Sequence, residues 1–143
     1  MDTVISEIFQ LKEESEKICL KYFSDNIKAG VTSFATGHVE KEIDIAEYLV
    51  RKPASTFVVT VQGDSMEPEI HPGDKLVVDS SIKEVLNKIV IGSIDGEFTV
   101  KRLVKDKNKL YLVAENKEYA PIEITGNMNF QVFGVVTFIL HAV

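Results

Sequence analysis

Apolar and polar positions along the chain change their period once, near Pro53. Ahead of it Val4, Ile8, Leu11, Ile18 and Tyr22 recur at spacings of three, four and seven, with Lys12, Glu13, Glu14, Glu16 and Lys17 on other faces. This pattern predicts an amphipathic helix over residues 1–23, capped by Asp2 or Thr3 and packed on its own domain or a symmetry mate. Cys19 lies close to the apolar stripe and reads as a small buried hydrophobe. Residues 24–42 show little periodicity and contain Gly30 and Gly37, so an extended arm is expected. Asp44 can cap a short helix through Ile45–Val50, which Pro53 ends.

Beyond Pro53 the pattern is mostly that of strands. Thr56–Val61, Asp74–Val78, Ile89–Gly92, Glu97–Val104, Leu110–Ala114 and Phe130–Ile139 are rich in β-branched and aromatic residues. Turn signals separate them: Gly63, His71-Pro72-Gly73, and Asp95-Gly96, the last a hairpin signal. Ser81–Lys88 is expected to form a helical turn. Short strands at regular intervals imply a mostly β fold with closed or coiled sheets.

Composition narrows the function classes. The 143 residues fit one domain with room for a core, and the net charge of −6 leaves no basic stripe for a phosphate backbone. Protein partners are expected instead of direct nucleic-acid binding. The single cysteine cannot form an internal disulfide, and no apolar run approaches the length of a membrane span, so a cytoplasmic protein is expected. His38, His71 and His141 are scattered, and no His/Cys/Asp group has metal-ligand spacing, so neither a metal site nor a cofactor is expected.

One pairing carries chemistry. Ser65 lies in Gly63-Asp64-Ser65-Met66-Glu67-Pro68, between a strand end and a turn, and Lys101 lies inside the strand Glu97–Val104. A serine hydroxyl keeps its proton at neutral pH and needs an adjacent base. A lysine can be that base when it is neutral, and desolvation in a core favours the neutral form. A turn serine bonding its own backbone is the common alternative for Ser65, and an exposed strand lysine is the alternative for Lys101. Strand alternation puts Lys101 and Arg102 on opposite faces, and of the two only lysine can give up its proton.

Gly-Asp-Ser-Met, Pro-Gly-Asp, Val-Val-Asp-Ser, Asp-Gly-Glu-Phe-Thr-Val-Lys and Val-Phe-Gly-Val-Val, in this order, resemble the UmuD branch of the LexA/UmuD self-cleaving serine peptidases. The resemblance runs from about Tyr22 to the C-terminus. Ser-Met-x-Pro is shared with type I signal peptidases, which use the same dyad. The resemblance implies Ser65 as nucleophile and Lys101 as general base; the backbone N–H groups of Asp64 and Ser65 are candidates for the oxyanion hole. It implies self-cleavage between Ala29 and Gly30. The chain then divides into residues 1–29, removed as helix and arm; residues 30–53, arm and short helix; and residues 54–143, the peptidase-like β domain. Two positions depart from the pattern: the cut site reads Ala-Gly where the best-known UmuD has Cys-Gly, and Asn87-Lys88 replaces Gly-Asp before Ile89.

The resemblance further implies an SOS-response protein whose cleavage is promoted by a RecA filament on single-stranded DNA. Its shortened homodimer would join a UmuC-like error-prone polymerase of the Y family. Three other readings stand beside this one. A LexA-type or phage repressor needs a DNA-binding module ahead of the cut, and 29 residues with one predicted helix are too few for a helix-turn-helix. A signal peptidase needs a membrane anchor. A non-catalytic binding module would keep Ser65 and Lys101 as remnants.

Overall fold

The computed structural model describes residues 2–10, 17–23 and 39–143. They fall into two compact units, one from residues 1–13 and 52–143, the other from residues 14–51. In the first unit an eight-stranded sheet contains β1 (Val4–Gln10), β4 (Thr56–Gln62), β5 (Lys75–Asp79), β6 (Ile89–Ile94), β7 (Glu97–Asp106), β8 (Lys109–Val113), β9 (Ile122–Ile124) and β10 (Phe130–Leu140). Their order across the sheet is β1-β4-β5-β10-β6-β7-β8-β9, every pair antiparallel. The second unit holds a two-stranded ribbon of β2 (Cys19–Phe23) and β3 (Val39–Asp44), followed by α1 (Ile45–Leu49). No helix among the described residues is long and apolar enough to cross a membrane.

The expected mostly β architecture is what the chain adopts, and each of the six strands predicted beyond Pro53 is present. The Asp95-Gly96 hairpin forms with both residues at positive φ, +51° and +89°, as a tight two-residue turn between twisted strands requires. A second such turn at Lys107-Asn108 joins β7 to β8. Strand alternation sends side chains to both faces of the sheet. Val59, Val61, Met66, Leu76, Val78, Ile89, Ile91 and Val100 form one buried cluster, and Val90, Leu103, Leu112 and Val135 form another.

The N-terminal helix is corrected to strands. Val4–Gln10 pairs with β4, and Cys19–Phe23 pairs with β3; residues 11–16 lie outside the described part. The side chains that made the helical stripe mostly end up in solvent, with Val4 44%, Ile8 61% and Ile18 70% exposed. Ile5 packs on the core instead, opposite Val61. A short isolated helix is marginal in water, whereas pairing with β4 satisfies a row of backbone groups on that strand. Cys19 is exposed rather than buried.

Two further differences are local. Ser81–Lys88 forms no helix: Asp79 Oδ1 accepts the Ser81 N–H and hydroxyl at 2.8 and 2.7 Å, and Asn87, at φ +63°, donates its N–H to Leu103. Such side-chain capture of backbone donors competes with helix formation. The short strand β9 has no counterpart among the predicted elements. The α1 prediction holds, with Asp44 Oδ1 accepting the N–H groups of Ala46 and Glu47 at 3.0 and 3.4 Å.

Candidate functional site

Ser65 and Lys101 meet. The turn after β4 delivers Ser65, β7 delivers Lys101, and both are buried, 0% and 2% exposed. Lys101 Nζ donates to Ser65 Oγ at 3.2 Å. Alternation along β7 decides which cation faces the serine. Lys101 points in, while Arg102 points away to Glu115 Oε1 at 2.7 Å and the Asn87 carbonyl at 2.7 Å. Thr99, two residues back on the Lys101 face, accepts a second hydrogen bond from the amine at 3.0 Å.

The Ser65 turn is held from behind. Gly63 has φ +86°, a conformation open to glycine. The Ser65 carbonyl accepts the Asn116 N–H at 3.0 Å, and the Asp64 carbonyl accepts Asn116 Nδ2 at 3.2 Å. Asp64 Oδ1 accepts the Tyr119 hydroxyl at 2.6 Å. That bond leads the causes raising the Tyr119 hydroxyl to about 12, and it also holds the Asp64 carboxyl below its ordinary value. These contacts fix the peptide planes on either side of Ser65.

The first residues of the chain occupy the same place. Asp2 Oδ1 lies 2.7 Å from Lys101 Nζ, and the Thr3 N–H donates to Ser65 Oγ at 2.9 Å. Burial pushes the Asp2 carboxyl up, but hydrogen bonds with Lys101 and Ser65, the Lys101 charge and the Thr3 N–H outweigh it and lower it overall. Gly63 makes this approach possible, since a Cβ there would lie 2.0 Å from the Asp2 carbonyl oxygen. Thr3 is buried and its hydroxyl has no partner among the described residues. An unmade hydrogen bond of this kind costs about 1–3 kcal/mol.

The predicted residues thus divide. Ser65 and Lys101 are brought together, Asp64 lies on the same turn, and Ala29 and Gly30 lie outside the described residues, as does His38. Sequence reasoning missed Asp2, Thr3, Thr99, Asn116 and Tyr119. Thr99 had a signal in its alternation with Lys101. The rest come from distant parts of the chain and had none. The expected scatter of the histidines is corrected as well: His71 and His141 converge on Asp74.

Residues 21–137 match the Peptidase S24-like family. Protein SamA of Salmonella typhimurium is 42% identical over 120 residues, covering 83% of this chain and 83% of that protein. Protein MucA of Salmonella typhimurium is 37% identical over 133 residues, 92% of this chain and 90% of its own length. The LexA repressor of Shewanella piezotolerans is 33% identical over 133 residues, 91% of this chain but 64% of the repressor.

Proposed function

The chain belongs to the Peptidase S24-like family and is UmuD-like, and from that premise we propose that it is a self-cleaving serine peptidase in which Ser65 and Lys101 form the catalytic dyad. The 3.2 Å approach of Lys101 Nζ to Ser65 Oγ, in a buried setting, is the observation that carries the reading. Neutral Lys101 takes the Ser65 proton as Oγ attacks the Ala29 carbonyl carbon. Backbone N–H groups of Asp64 and Ser65 stabilise the oxyanion of the tetrahedral intermediate. The intermediate collapses as Lys101 gives its proton to the departing Gly30 nitrogen. Water, activated by the same amine, then hydrolyses the acyl-serine ester and restores Ser65.

The arrangement described above is the resting one. Asp2 Oδ1 holds the Lys101 amine at 2.7 Å, and Thr3 fills the approach to Ser65 Oγ. A substrate segment enters after residues 2–3 withdraw. Promotion of that exchange by a RecA filament fits a peptidase kept closed by its own chain. The processed product would be a homodimeric accessory subunit of a UmuC-like polymerase in SOS mutagenesis. Removal of residues 1–29 strips β1 from β4 and so changes the surface offered to partners.

Incubation of the purified chain at alkaline pH, with mass spectrometry of the products, tests this. The wild type is expected to yield a fragment beginning at Gly30, faster as pH rises. Ser65→Ala, Lys101→Ala and Lys101→Arg are expected to stay intact, arginine because it keeps its proton. A wild type that stays whole at alkaline pH, with RecA filaments added, overturns the peptidase reading.

A further inference from the structure

His71, Asp74 and His141 stand apart from the dyad's chemistry, and sheet register puts them together. The end of β10 pairs with the start of β5, Leu140 opposite Lys75, so the next residue outward on each side places His141 beside Asp74. His71 comes from the Pro72-Gly73 turn that leads into Asp74. Asp74 is buried, with 3% of its side chain exposed, and the two imidazoles are half-exposed above it. His141 Nδ1 lies 2.6 Å from Asp74 Oδ1, His71 Nδ1 lies 3.7 Å from Oδ2, and the ring centroids are 4.6 Å apart. One ligand-type atom from each residue lies within 4.8 Å of the others.

We propose that His71, Asp74 and His141 form a structural site for a first-row divalent cation of the Zn2+ type, with water completing its coordination. Two imidazoles and a carboxylate suit a borderline-soft ion better than Mg2+ or Ca2+, which prefer oxygen alone. Zn2+ bonds of about 2.0–2.2 Å in a tetrahedron put ligand atoms roughly 3.3 Å apart. The three groups reach that spacing by small ring rotations, which their half-exposed positions allow. The buried ligand is already oriented. Asp74 Oδ2 accepts the His71 backbone N–H at 2.8 Å, its own N–H donates to the His71 carbonyl at 3.0 Å, and its carbonyl accepts the Val61 N–H at 3.1 Å. This outer shell leaves Oδ1 directed at His141. The cation would tie the end of β10 to the turn that connects Ser65 with β5.

The test is calorimetric titration of Zn2+ into the full chain at neutral pH, with thermal unfolding in parallel. One equivalent is expected to bind in the micromolar range, and saturating Zn2+ is expected to raise Tm. His71→Ala and His141→Ala should each weaken binding at least about tenfold and remove the Tm rise. His141→Gln, which keeps a polar side chain of similar reach, serves where the alanine variant folds poorly. Cys19→Ser and His38→Ala should bind as the wild type does. Absence of binding at millimolar Zn2+, or undiminished binding in the His71→Ala/His141→Ala double variant, overturns the proposal.

Discussion

The Asp2 carboxylate lies nearer to the Lys101 amine than Ser65 does, with Oδ1 to Nζ at 2.7 Å against Oγ to Nζ at 3.2 Å. The proposed catalytic pair is therefore a triplet in this structure, and its third member belongs to the segment that the proposed cleavage would remove. Asp2→Asn keeps an acceptor and removes the anion that holds the amine. Self-cleavage of Asp2→Asn is expected to be several-fold faster near neutral pH. Time courses of Gly30-fragment release across pH check this, and an unchanged profile would show that Asp2 exerts no restraint.

Gly63 serves two ends. Its φ of +86° suits glycine, and a Cβ there would meet the Asp2 carbonyl oxygen at 2.0 Å and carbon at 2.4 Å. Gly63→Ala is expected to cost ~1–3 kcal/mol from backbone strain, with a further loss as residues 2–3 are pushed off. Denaturant unfolding measures the first effect. Faster exchange of the Thr3 amide, which now donates to Ser65, reports the second.

Cleavage at Ala29-Gly30 would remove the strand that covers the outer edge of β4, whose residues Phe57–Gln62 pair with Gln10–Val4. Unpaired strand edges are templates for association. Hydrogen exchange of the processed chain is expected to speed up in β4 and to stay unchanged in β7 and β8, unless a second copy or a partner takes the edge. Protection of β4 that returns with rising protein concentration would identify dimerisation as the cover.

The Tyr119–Asp64 bond behind the Ser65 turn is expected to persist into alkaline pH. The Tyr119 hydroxyl is raised to about 12, first by its bond to Asp64 and then by burial, against 10.0 for an ordinary tyrosine. A group raised on folding stabilises fully below its unfolded value and loses that contribution as pH climbs through the folded one. The bond therefore survives at the pH where self-cleavage is assayed. Phenolate absorbance of the wild type minus Tyr119→Phe is expected to show a step near pH 12, and a step near pH 10 would contradict the contact.

At acid pH the sign reverses. Burial raises the Asp79 carboxyl, yet the Ser81 N–H and hydroxyl and the Ser55 hydroxyl, at 2.7–2.8 Å, outweigh it and lower it below 3.8. A group lowered on folding stabilises above its unfolded value and loses that contribution as pH falls through the folded one. Asp79→Asn is expected to lose about 1–3 kcal/mol at neutral pH and to show a shallower acid limb below pH 3.8. Urea unfolding as a function of pH measures both.

The strands beyond Pro53 were legible because each is a local pattern: alternation, β-branched residues and turn chemistry act within a few positions. The same locality put Ser65 in a turn and Lys101 and Arg102 on opposite faces of their strand; which of the two points inward came from the structure. The N-terminal segment was misread for the same reason. Its helical spacing is real, but Val4–Gln10 pairs with the edge of β4, some fifty positions away in the chain, and Cys19–Phe23 pairs with β3. Asp2 at the amine, Thr3 on the serine, Asn116 and Tyr119 behind the turn, and His141 beside Asp74 all depend on strand order and register. The chain alone determined which side chains had the chemistry. Only the folded sheet decided which would touch, because contacts between distant positions are set by how edges pair.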